Sequence, residues 1–94
     1  MKTQDIVLNI AVNLGRISRW AEEGNQKRIN KFLEETDDYV KQLDGAPKSP
    51  RFLKTFQSFK KHFFELKNNV NRDDAWAEDV LTWGNILTHR AKLA

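Results

Sequence analysis

Apolar side chains recur at three- to four-residue steps in four successive stretches of this chain, the spacing of one face of an α-helix. Ile6, Ile10, Leu14, Ile17 and Ala21 define the first stripe, flanked by Val7, Asn13 and Trp20. It predicts a helix from Thr3 to Glu23, with Thr3 or Asp5 capping its start. Ile29, Phe32, Leu33, Thr36, Tyr39, Val40 and Leu43 define the second, predicting a helix from Gln26 to Leu43 with Lys27, Lys31, Glu34, Asp38 and Lys41 on the opposite face. Phe52, Leu53, Phe56, Phe59, Phe63, Leu66 and Val70 define the third, from Pro50 to Asn69, with Phe64 at its edge. Trp76, Val80, Trp83 and Leu87 define the fourth, from Asp74 to the terminus, with Ile86 and Leu93 on one edge.

The connections are written in turn chemistry. Gly24 tolerates a left-handed backbone and Asn25 can cap the second helix. The second stripe is rotated about 80° from a straight continuation of the first, so one uninterrupted helix could not bury both against the same neighbour. A break at Gly24 is expected, with a long kinked first helix as the alternative. In Asp44–Pro50, Gly45 can end the second helix, and Ser49-Pro50 reads as a cap followed by proline at the first helical position. Asn68-Asn69-Val70-Asn71 disfavours continuation of the third helix, and Asn71 or Asp73 can cap the fourth. Ala77, Gly84 and Ala91 recur every seven residues, a seam suited to close approach by another helix or to a bulky ring. Four amphipathic helices with short connections bury their stripes most simply as an antiparallel four-helix bundle, a single all-α domain over residues 1–94. The alternative has three helices with a long kinked first one.

Composition narrows the chemistry. With no cysteine there is no disulfide, thiolate metal site or thiol nucleophile, so six Phe, three Trp and one Tyr must supply the packing. The stretch from Ile6 to Leu14 is interrupted by Asn9 and Asn13 and lacks a small-residue cleavage site. It is neither a signal peptide nor a membrane span, and the expected location is the cytoplasm. Of the two histidines, His62 and His89, neither follows a glutamate by three residues as a di-metal helix motif requires, since those positions hold Phe59 and Ile86. Phosphate-binding glycine loops and nucleophile elbows are absent. His62 with Glu65 reads as a solvated pair, Asp37-Asp38 as a solvated helix face and Asp73-Asp74 as a helix start. The pattern argues against an enzyme, a cofactor, a metal site or a small-molecule substrate.

Two surfaces remain. The positive excess lies in residues 45–70, where Lys48, Arg51, Lys54, Lys60, Lys61 and Lys67 stand against Glu65 alone and outweigh a slight negative balance elsewhere, for a net charge of +3. Arg51, Lys54 and Lys61 point outward and could contact phosphates, while Lys60 and Lys67 flank the apolar stripe. No stacking aromatic is evident beside them, so nucleic-acid or other polyanion binding is the lesser reading. The alternative is that these lysines face the acidic outer surfaces of the second and fourth helices. The second surface is apolar. Leu8 and Val12, one turn apart, lie opposite the core stripe of the first helix, with Ala11 and Gly15 beside them. Unless the 44–50 loop or the C-terminal tail covers them, Leu8, Ala11, Val12 and Gly15 form a docking patch for a protein partner or a homodimer. Thr82, Asn85 and His89 form a low-charge polar row that reads as solvated surface.

The run Leu81-Thr82-Trp83-Gly84-Asn85-Ile86-Leu87-Thr88-His89-Arg90 resembles the tail of small uncharacterised cyanobacterial helical proteins. That resemblance implies a bacterial cytoplasmic protein and no particular mechanism.

Overall fold

The computed structural model describes residues 1–94 and contains four α-helices. They are α1 (Thr3–Glu22), α2 (Gln26–Gly45), α3 (Pro50–Asn68) and α4 (Asp74–Arg90), followed by a 3-10 turn at Ala91–Leu93. No strand is present. Helices of 17 to 20 residues are about 26 to 30 Å long, which matches the 36 Å long axis of the molecule.

Each connection has an identifiable cause. Gly24 takes a left-handed φ of 71°, the only positive φ in the chain, and so separates α1 from α2. The kinked-helix alternative is thereby set aside. The side chains of Asn25, Ser49 and Asp73 accept hydrogen bonds from the amides of Arg28, Phe52 and Trp76, capping α2, α3 and α4. Two expected terminators behave differently. No side chain caps α1; the Thr3 hydroxyl instead donates to the Pro47 carbonyl and ties the start of α1 to the α2–α3 loop. Gly45 stays helical, and the end of α2 is closed by Lys48, whose ammonium donates to the carbonyls of Leu43, Asp44 and Ala46.

Contacts between helices fix an antiparallel order. Trp20 packs on Phe32 across the α1–α2 turn, with ring centroids 4.7 Å apart. Lys67 pairs with Asp37 and Lys60 with Asp44, so α3 runs opposite to α2. The Trp76 indole donates to the Leu66 carbonyl, while Arg90 donates to the Thr55 hydroxyl at the other end of α3 and α4. Ser18 donates to the Ala77 carbonyl at 2.8 Å, and Gly84 lies against Ala11 and Leu14, so α4 returns antiparallel to α1.

The packing is asymmetric. The backbone of α1 lies nearest to α4 and then to α2, whereas α3 keeps more distance. The residues dictate this. Ala77, Gly84 and Ala91 present almost no side chain toward α1, so the small-residue seam serves close helix approach. A methyl group built on Gly84 would already stand 3.4 Å from the Ala11 carbonyl oxygen and from the Leu14 Cβ. Conversely, Phe52, Phe56, Phe59 and Phe63 project from α3 into the core and fill the wider gap. Because α1 serves two close neighbours, its buried arc is broad, comprising Ile6, Val7, Ile10, Ala11, Asn13, Leu14, Ile17 and Ser18.

The stripe of α3 is narrower than its sequence suggests. Leu53 is 40% exposed because it falls to the side of the phenylalanine row, and Thr55 takes a buried place instead. Val70 is 93% exposed because α3 stops at Asn68, before that position can turn inward. On α1, Asn13 lies two turns before Trp20 on the line that faces α2, is buried, and leaves its Nδ2 without an acceptor. An unmade hydrogen bond at a buried amide costs on the order of 1–3 kcal/mol. Asn13→Leu should therefore raise unfolding stability by about 1–2 kcal/mol, read as a higher urea midpoint at unchanged m-value. A destabilised variant would contradict this expectation.

Candidate functional site

The two surfaces singled out by sequence fare differently. On α1, Leu8 is 37% and Val12 51% exposed, so neither the 44–50 loop nor the C-terminal turn covers them. Thr3 contacts Pro47, and the 3-10 turn reaches α1, yet the middle of the helix stays bare. Gly15 is half-buried, with open space where a Cβ would stand. Ala11 is the correction within this set. It is 6% exposed, because the close α1–α4 approach takes it into the seam opposite Gly84, and no partner can reach it.

The structure adds members that hydropathy alone did not single out. Leu81 is 43% exposed on α4, between Ala77, opposite Ser18, and Gly84, opposite Ala11 and Gly15. It therefore stands at the rim of α1 near Gly15. Asp5 and Arg19 are exposed, share the helix face of Leu8 and Val12, and enter none of the three ion pairs of the molecule. Spacings of three, four, three and four residues through Asp5, Leu8, Val12, Gly15 and Arg19 form one line about 21 Å long. The heptad-like step of that line could have been read from sequence once the two charges were included.

The cations of α3 divide into two groups. Lys60 and Lys67 cross to α2 and pair with Asp44 and Asp37 at 2.9 and 3.2 Å, and Lys48 closes the end of α2. The expected facing of lysines onto the acidic surface of α2 thus holds for these. Arg51, Lys54 and Lys61 are exposed and make no ion pair. They do not form one site. Arg51 and Lys54 line a groove between α3 and α4 with Thr55, Ser58, Trp83, Ile86 and Arg90. Lys61 lines a separate surface with Gln57, Lys60, Phe64 and Glu65. Phe64 is 67% exposed there, an aromatic on the basic helix that its edge position in the stripe concealed.

Other polar features resolve simply. The His62 ring sits against Trp83 at 5.2 Å with Nδ1 2.9 Å from the Ser58 carbonyl oxygen, and it shares a groove with Glu65 and Asp79. No three histidine, aspartate or glutamate side chains gather closely enough to share a metal ion. Thr82 turns its hydroxyl back to the Glu78 carbonyl, and Asn85 and His89 stand in solvent. Arg72 reaches from the α3–α4 loop to Gln26 and Asn30 of α2 and lies over the Trp76 ring; burial pushes its guanidinium below the ordinary arginine range. No helix is long and apolar enough to cross a membrane.

At the α2–α3 seam, partial burial pushes the Asp37 carboxyl up. Hydrogen bonds and attraction from Lys67 and Lys41 outweigh this and hold it below its ordinary value of 3.8. A carboxyl depressed in the folded state contributes stability that is present above its unfolded pKa and fades as pH falls through the folded one. Wild-type stability should therefore decline more steeply than that of Asp37→Asn as pH falls below about 4, measured by urea unfolding at successive pH values. Parallel declines would remove Asp37 from the acid response.

Comparison with family models, with curated proteins and with solved structures finds no match in any of the three.

Proposed function

We propose that this chain is a cytoplasmic helical interaction module that associates through the outer face of α1, with a second copy of itself as the partner. The observation that carries the reading is the line Asp5, Leu8, Val12, Gly15, Arg19, solvent-facing on a helix whose opposite side is fully committed to the core. The line is self-complementary. With Val12 on a two-fold axis, an antiparallel second α1 sets Asp5 opposite the partner's Arg19 and Arg19 opposite the partner's Asp5. The apolar pair lies between them, and Gly15 leaves room for close approach. A parallel second helix would instead oppose like charges.

Leu8, Val12 and the neighbouring Leu81 supply less apolar area than a standard interface needs, so the association is of the weak, reversible kind. Sedimentation from about 1 µM to about 1 mM protein should show concentration-dependent dimerisation. Leu8→Glu plus Val12→Glu should abolish it with helical content unchanged. Asp5→Arg or Arg19→Asp alone should weaken it, and the two together should restore it. A wild-type monomer across the whole range would overturn the reading.

A further inference from the structure

The α3–α4 groove lies outside the α1 face and has chemistry of its own. Arg51 and Lys54 come from the first turns of α3 and Arg90 from the last turn of α4, because the antiparallel packing brings those ends together. The groove, of about 360 Å³, contains three cationic side chains, two hydroxyls, an indole and an aliphatic side chain, and no carboxylate. No aspartate or glutamate side chain stands within four residues of Arg51, Lys54 or Arg90, so no neighbour one helical turn away neutralises them. None of the three enters an ion pair. Arg90 is already positioned, since its Nη1 donates to the Thr55 hydroxyl at 3.0 Å and Thr55 is itself buried. The start of α3 adds the positive end of its helix dipole to the same place.

A second cationic groove is a weaker candidate. It is lined by Asn25, Lys27, Arg28, Lys31 and Phe32, all from α2 or its cap. Glu34 and Glu35 follow Lys31 by three and four residues, and Arg28 already lies over the Trp20 ring. Lys61 likewise has Glu65 four residues on. Arg16 and Lys92 also lack an acidic neighbour or an ion pair, but only the α3–α4 groove gathers three such cations.

We propose that this groove binds a phosphate monoester carried on a flat, weakly polar body, a ligand of mononucleotide size. A dianionic phosphate matches three cations that line one groove, with arginine offering forked donors and lysine a point charge. The volume suits one such ligand. Trp83, half-buried and braced by Phe59 at 5.5 Å and by His62, flanks the groove with Ile86 and supplies apolar surface for the ligand body. The lining holds no imidazole or carboxylate, so the proposal is one of binding and not of turnover.

The test is an amide-resolved NMR titration of the full chain with adenosine monophosphate, alongside adenosine, inorganic phosphate and a short oligoadenylate. The monophosphate should shift amides around residues 51–58 and 83–90, with inorganic phosphate weaker and adenosine without effect. Arg51→Gln plus Lys54→Gln should weaken binding at least about tenfold, the loss of two charge-assisted contacts. Thr55→Val, which frees Arg90 but conserves shape, should weaken it several-fold. Lys27→Gln plus Lys31→Gln should leave it unchanged. No shift up to about 10 mM monophosphate, or equal shifts around Lys27 and Lys31, would overturn the proposal. So would binding of the oligonucleotide alone, with Lys61 involved, which would establish a strand-binding face instead.

Discussion

The close approach of α1 and α4 at Gly84 is the constraint on which the rest of the structure depends. Helix axes draw together only where side chains are small, and α4 supplies Ala77, Gly84 and Ala91 along one line. Ala11 and Leu14 of α1 occupy the space so vacated, and the buried Ser18 hydroxyl fastens the pair to the Ala77 carbonyl. With α4 this near on one side and α2 on the other, α1 becomes the helix with the widest buried arc. Four of the five buried aromatic rings then fall on α3, which they hold at greater distance from the others, with Trp76 of α4 the fifth. A chain with no cysteine and few buried polar groups derives its cohesion from this division between a tight seam and a ring-filled gap.

The same division distributes the surface. Where α3 stands off, long side chains bridge the space, and Lys60 and Lys67 reach the carboxylates of α2 across it. These pairs are partly exposed and individually weak, so they add little to stability. Cations near the start of α3 have no acidic helix opposite them. They face the end of α4, which brings Arg90 and no carboxylate. On the far side of the seam, the outer line of α1 is left bare because both faces adjacent to it are committed to neighbours. The apolar line on α1 and the basic groove between α3 and α4 are both consequences of where the tight seam lies.

Much of this was legible in the sequence, and the failures have physical causes. Periodicity gave the four helices, and Gly24, Asn25, Ser49-Pro50 and Asp73 marked their limits to within a residue or two because caps and left-handed turns are local chemistry. Thr3 misled because a distant partner, Pro47, took its hydroxyl, and Gly45 because the Lys48 ammonium, a few residues on, caps the end of α2 in its place. Leu8 and Val12 were identifiable because they oppose the core stripe. Ala11 was misplaced because its burial depends on which neighbour comes closest, a property of Gly84 on another helix. Leu53 and Val70 fell outside the core for a similar reason: a stripe locates a face but not its width, and Val70 lies past the last helical turn. Arg90 could not be joined to Arg51 and Lys54 from sequence, since only the antiparallel return of α4 brings it there.

The seam is tested most directly by the stability of two Gly84 variants measured by urea unfolding. A methyl group fits at contact distance and improves helix propensity, so Gly84→Ala should lie within about 1 kcal/mol of wild type. Gly84→Leu has no space against the Ala11 backbone and must force α1 and α4 apart, with an expected loss of about 3 kcal/mol or more. If Gly84→Leu unfolded at the wild-type midpoint, the tight α1–α4 approach would not be what organises this bundle.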